Sequence, residues 1–137
     1  MELLSFYSYA IASILTILIG LVYATRKTIM PYHLKALEKT WEEIDVNSQL
    51  MLNSLLNGGG FYGISCGIFM LVLLLIPFSE GQLWAGYTIG LAGLVGTLPL
   101  TYIVYKVKTR TKGDPPLWVM IVVDVLLIVG LLGVVLS

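Results

Sequence analysis

Charge is what this sequence has least of. Charged residues fill 12% of its 137 positions, about half the usual share in a soluble domain. Too few polar side chains are present to coat a surface that meets water. Histidine and cysteine are scarcer still, at one each, His33 and Cys66. A lone cysteine excludes an intramolecular disulfide and a cysteine-based zinc site, and no HExxH or comparable ligand spacing occurs. No metal or cofactor is therefore expected, and no catalytic residue is assigned. Eight basic residues against eight acidic ones give no reason to expect nucleic acid as a partner. The length suits one domain, without internal repeats or a low-complexity tail.

What is abundant is apolar: 58% of the residues are hydrophobic. The reading is all-α, an integral membrane bundle of four transmembrane helices with a short cytoplasmic interfacial helix, residues 1–137 forming a single transmembrane domain. The spans are expected at about 4–25, 58–76 with an extension back to 46, 82–108 and 117–136. The run GGGFYGISCGIFMLVLLLI over 58–76 carries no charge and is long enough to cross a hydrocarbon core of ~30 Å. Gly59, Gly63 and Gly67 recur every fourth residue and are expected on one face. There a second backbone can approach closely, making this the expected central helix of the bundle. Three consecutive glycines at 58–60 each cost ~1 kcal/mol relative to alanine in a helix, which predicts a kink. Asp45 is the expected N-cap of the extended helix, and Pro77 its end.

The first span is read as a retained helix and not a signal peptide, because no base precedes Arg26. Ser5, Tyr9, Ser13, Thr16, Gly20 and Ala24 form a small or hydroxylated stripe that should face other helices. Tyr7 and Tyr9 also fall near the outer end, where amphipathic rings favour the interface. In the third span Gly86, Gly90, Gly93, Thr97 and Thr101 make a second small-residue stripe, and Pro99 is expected as a tolerated kink. Asp114 suits an N-cap for the fourth span, with proline in its first turn. Between the first two spans, Met30-Pro31 is expected to break the first helix. An amphipathic helix over about 32–44 follows, with Leu34, Leu37, Trp41 and Ile44 on one side and Lys35, Glu38, Lys39, Glu42 and Glu43 on the other. Lys39 and Glu43 stand at ion-pair spacing on that helix.

All eight Lys and Arg fall within 26–39 and 106–112. With four spans, those regions share a side, and the positive-inside rule makes the loops 26–57 and 106–116 cytoplasmic and both termini external. A prokaryotic plasma (inner) membrane is the expected location.

Asp124 is the sharpest candidate for chemistry, being the one ionisable acid, base or histidine inside the apolar runs. Intramembrane charges normally face a bundle interior. Counting depth along the spans brings Thr16, Ser65, Cys66, Thr97 and Thr101 to the same level, so a polar layer is expected. Its roles are interhelical hydrogen bonding or a proton or cation site. A second group lies at the cytoplasmic boundary, where His33, Glu42, Glu43 and Asp45 offer metal-binding or acid–base chemistry or form a solvated face. His33, near several bases, is also placed to meet lipid phosphate. Gln49, Asn53 and Asn57 form an amide stripe that lines a vestibule or marks interfacial turns. The glycines at 59, 63, 67, 86, 90 and 93 are read as helix-packing positions.

The functional expectation is a small polytopic membrane protein, leaning non-enzymatic, acting through helix packing as an accessory or assembly subunit or as a bundle holding a lipid-like ligand. Its partners would be the lipid bilayer and a homo-oligomer or larger membrane complex. The alternatives are a small oligomeric channel or proton/cation-coupled transporter using Asp124, and a membrane enzyme acting on lipid headgroups.

Overall fold

A computed structural model describes residues 2–137, with side chains from residue 3 onward. Every regular element among them is a helix: α1 (Glu2–Ala24), α2 (Pro31–Leu37), α3 (Val46–Leu73), α4 (Leu83–Arg110) and α5 (Leu117–Val135). Helices α1, α3 with its final turn, α4 and α5 are long and apolar enough to cross a membrane. The 28 residues of α3 and of α4 each reach about 42 Å at helical rise.

The boundaries follow local chemistry, and several depart from the expected ones. Helix α1 ends at Ala24, well before Pro31. Its last carbonyls and the turn beyond are held by one side chain: Asn57 Nδ2 donates to the oxygens of Tyr23 and Ala24 at 2.9 and 3.0 Å and to that of Arg26, just past the helix, at 3.0 Å. Pro31 does not break α1 but starts α2, where its missing N–H is no loss. Helix α2 has seven residues and does not reach 44. Glu38 turns left-handed (φ 53°), and the N–H groups of Glu38 and Lys39 close the helix on Lys35 and Leu34 at 3.2 and 3.3 Å. The helical pairing of Lys39 with Glu43 is lost with it, and Glu43 Oε2 instead accepts from Thr40 N at 2.7 Å.

Asp45 caps α3, accepting from Ser48 N at 3.0 Å. That helix runs unbroken through Gly58, Gly59 and Gly60. At its far end Pro77 has no N–H for the Leu73 carbonyl. The backbone widens into a π-turn over Leu74–Phe78, with Ser79 N–H reaching Leu74 O at 3.2 Å. Gly81, at φ 82°, completes the reversal into α4. Asp114 does not cap α5; its carboxylate pairs with Lys108 at 2.9 Å, and Pro116 holds the cap position.

The central helix is α1, not α3. Helix α1 packs along α3 on one side and α5 on the other, α4 lies on α5, and α3 and α4 meet sparingly. The spatial order is therefore α3–α1–α5–α4. Tyr9 and Ala12 of α1, Met70 and Leu73 of α3, Ala85 and Ile89 of α4, and Val123 and Leu127 of α5 form the shared core. Outside it, large apolar side chains such as Val95, Leu91, Phe61 and Leu55 stand exposed.

The two basic regions lie at one end of the molecule. Gly113 is buried against α2, where a Cβ would stand 2.7 Å from Tyr32 O, and Lys112 Nζ pairs with Glu38 at 2.8 Å.

Candidate functional site

Hydroxyls in these helices have a default partner. Ser13, Thr16, Ser65, Thr88 and Thr109 all donate to a carbonyl one turn back on their own helix, at 2.7–3.0 Å. Thr97 and Thr101 do otherwise. One turn apart on α4, they donate across the interface to the two carboxyl oxygens of Asp124 on α5, at 2.5 Å to Oδ1 and 2.6 Å to Oδ2. Asp124 is 6% exposed. Both of its oxygens are satisfied by neutral donors, and no base shares the contact. Pro99, between the two threonines in sequence, is on the exposed side of α4. Its missing N–H leaves the Val95 carbonyl without its usual helical partner.

The expected polar layer reduces to these three residues. Thr16 bonds Ala12 O and lies towards α3, its carbonyl 3.6 Å from a Cβ placed on Gly63. Ser65 is exposed and bonded to Phe61 O, and Cys66 is half-buried on α3. Equal depth did not mean equal direction: Ser65 lies two residues from both Gly63 and Gly67, which turns it about 200° away on a helix.

The glycines are sorted the same way. A Cβ on Gly59 would meet nothing within 4 Å, so Gly59 packs against no helix of its own chain. Its neighbour Gly60 does: a Cβ there would lie 2.7 Å from the backbone of Ala24 and of Gly20. Gly67 would meet Ser13 O at 2.8 Å, and Gly63 would meet Gly20 Cα at 3.4 Å. The seam of α3 is Leu56, Gly60, Gly63, Gly67 and Met70, spaced alternately four and three, which holds one face towards a neighbour. A strict four-residue spacing drifts about 40° per step, and Gly59 falls off it. On α4, a Cβ added to Gly86 would lie 2.7 Å from Phe78 and from Val134, one on Gly90 would lie 2.7 and 2.9 Å from Tyr9 and Leu131, and one on Gly93 would lie 2.9 Å from Leu127.

Tyr9 itself departs from the interfacial reading. It is fully buried, and its hydroxyl donates to Gly86 O on α4 at 2.9 Å. The ring occupies a notch made by Gly90 of α4 and Gly130 of α5. Its place in the stripe with Ser5 and Ser13, both buried, was the usable signal; proximity to the chain end was the misleading one.

The boundary residues do not gather. His33 is half-buried on α2, edge-on to the Tyr32 ring at 4.4 Å. Burial pushes its pKa below the ordinary value. Glu42 is exposed in the following loop and Glu43 serves Thr40. Among the described residues, no three His, Cys, Asp or Glu side chains form a group able to hold a metal. The amide stripe ties backbone down: Gln49 Nε2 donates to Trp41 O at 2.7 Å and Ile44 O at 3.0 Å, and Asn57 closes α1. Between them Asn53 Oδ1 is buried without a hydrogen-bond partner.

Sequence reasoning missed a contact between α1 and α2. The Tyr23 and Tyr32 hydroxyls are hydrogen-bonded to each other. Burial, then the bond to Tyr23, raise the Tyr32 phenol above its ordinary pKa, while the nearby Arg26 charge opposes the shift.

The fold and site define a class: an all-helical protein with four helices able to cross a membrane. No family model, curated protein or solved structure matches the chain.

Proposed function

We propose that the chain is an integral membrane protein that works through its helix surfaces, on a lipid-like ligand or on other membrane helices, and not through a reaction. The observation that carries this is the state of Asp124. It is buried, and both of its oxygens are held by Thr97 and Thr101. A carboxyl group so engaged acts as interhelical glue, worth about 0.6–2 kcal/mol in such a setting. The His33, Glu42 and Glu43 side chains, dispersed over α2 and a loop, offer no alternative centre.

Helices α1, α3, α4 and α5 cross the bilayer in this reading. The common end of the basic segments is the cytoplasmic one and both termini are outside, in a prokaryotic inner membrane. Helix α2 then sits in the headgroup layer beside the loop at 111–116. The bilayer is the constant partner, and a homo-oligomer or larger membrane complex is the assembly in which it works. Purification in mild detergent tests this. Co-purifying subunits, a defined oligomer or retained lipid is the expected result; a strictly monomeric, ligand-free particle would end the proposal.

A second reading has one observation in its favour, the intramembrane carboxyl itself, since such groups mark ion or proton paths. Channel or carrier activity predicts liposome flux that responds to pH or gradients and is lost in Asp124→Asn. Unchanged flux in that variant removes the reading.

A further inference from the structure

The two ends of the molecule differ in charge. One holds all eight Lys and Arg together with five acids, Glu38, Glu42, Glu43, Asp45 and Asp114; the other holds Glu2 and Glu80 and no base. Two bases at the first end are neutralised within the chain, Lys108 by Asp114 and Lys112 by Glu38. An excess of positive charge remains there, next to apolar helix surface.

A groove of about 170 Å³ opens at this same end, among α1, α4, α5 and the segments that follow α1 and precede α5. Its walls include Ile19, Val22, Met30, Val104 and Val119, all apolar. Its polar contribution is Tyr23, whose hydroxyl is bonded to that of Tyr32. Two phenols facing each other spend one O–H on the shared bond, so the other O–H remains for an oxygen acceptor. Arg26 stands three residues beyond Tyr23, near enough for its charge to act on the Tyr32 phenol. Its hydrogen bond to Thr28 O is long, at 3.5 Å, so the guanidinium fork is largely uncommitted. Lys27 is exposed beside it.

We infer that this groove is the seat of an anionic phospholipid, one acyl chain lying against Val22, Met30, Val104 and Val119 and the phosphodiester meeting the Tyr23–Tyr32 hydroxyls and Arg26. The site rests on the membrane reading above and deepens its lipid arm. An apolar slot alone would take any acyl chain. The excess of base at this end of the molecule, with Arg26 lying in sequence between the lining residues Tyr23 and Met30, selects the headgroup, as basic pockets between membrane helices do on the cytoplasmic side. Guanidinium and phosphate are also matched in geometry, the fork engaging two oxygens at once.

The test is native mass spectrometry of the full chain in detergent, titrated with phosphatidylglycerol and with phosphatidylcholine of identical acyl chains. The wild type should retain phosphatidylglycerol roughly tenfold better, the scale set by one or two bases near a headgroup. Met30→Trp fills the groove from a loop position and should abolish retention of both lipids. Arg26→Gln with Lys27→Gln should remove the headgroup preference while leaving the residual binding of phosphatidylcholine. Equal retention of the two lipids by the wild type, undiminished binding in Met30→Trp, or an intact preference in the double variant would each overturn the site. The same spectra report assembly independently. An oligomer without lipid would remove the groove as a site and leave the wider reading standing, whereas a lipid-free monomer would remove both.

Discussion

Helices α1 and α3 meet differently from helices α4 and α5. At the first interface glycines bring backbone to backbone: Cβ atoms on Gly20 and Gly60 would each fall 2.7 Å from the other helix's main chain. At the second, polar side chains do the crossing, with Thr97 and Thr101 reaching Asp124. In lipid, apolar side chains gain little by leaving an equally apolar solvent, so dispersion between close backbones and interhelical hydrogen bonds are the two remaining means of association. On the membrane reading proposed above, the first dominates between α1 and α3, where Asn57 adds a polar tie at the end of α1, and the second between α4 and α5. Tyr9 joins them, since its ring needs the glycine notch and its hydroxyl supplies a polar tie to α4. The difference shows in tolerance. A backbone contact cannot yield to added atoms, whereas hydroxyls freed from a carboxyl can turn back to a carbonyl of their own helix, as Thr16 and Thr88 do.

The largest effect is therefore expected at the backbone interface. Gly60→Val inserts branched carbon into the main chain of Ala24 and Gly20, which must separate the helices. Overpacking of a yielding core costs about 1–3 kcal/mol, and this site has less freedom to yield. Gly59→Val, one residue away, meets open space and should stay close to wild type. Thermal or denaturant unfolding in detergent reads both. Equal loss in the two variants would mean that valine in the helix, and not the contact, is being measured.

Gly130→Ala comes next. Its Cβ would fall inside contact distance of the Tyr9 ring, which is fully buried and tied to Gly86 O, so a loss of about 1–3 kcal/mol is expected. Tyr9→Leu should relieve part of it, and a double-mutant cycle in which the two losses simply add would remove the notch from the account.

At the polar interface the expected values are smaller. A cycle between Asp124→Asn and Thr101→Val should give a coupling of about 0.6 kcal/mol and no more than about 1.7, the mean and maximum for interhelical hydrogen bonds within membranes. A coupling that matches the backbone interface in size would erase the distinction between the two modes of packing. A value near zero would show the threonines to be passive neighbours.

How much of this was legible beforehand depended on periodicity. Four long apolar runs gave four long helices because length and hydropathy need no partner to be recognised. Asp45 was readable as an N-cap because capping is local. The central helix was not readable: the run at 58–76 has the more conspicuous glycines, but which helix lies in the middle depends on all the neighbours at once. Gly59 against Gly60 was a matter of about 100° of rotation, decided by the position of α1. Within the candidate site, Asp124 was named as the one ionisable group in the apolar runs and Thr97 and Thr101 from its depth, but Thr16, Ser65 and Cys66 were named with them because depth carries no azimuth. The Tyr23–Tyr32 contact was hidden for another reason. It depends on α2 starting at Pro31 and folding back over the end of α1, a loop geometry that no repeat in the sequence encodes.

The smallest effect lies outside both interfaces, in the polar region between α1 and α3. His33 is half-buried on α2, and desolvation holds its folded pKa below the ordinary 6.5. Its charged form is thus disfavoured in the folded chain relative to the unfolded one. The sign follows by linkage: the contribution is fully present above about pH 6.5 and is lost as pH falls through the lower folded value. Asp45 acts in a separate window. Its carboxyl, bonded by Ser48, is held below the ordinary 3.8, so its contribution is present above that value and disappears only in stronger acid. A shallow decline in stability starting near pH 6.5 is expected in the wild type, with His33→Gln flattening it and leaving the acid limb in place. If His33→Gln leaves the decline near pH 6.5 unchanged, burial of the imidazole is not its source, and the comparison of the two interfaces stands without a titrating group beside it.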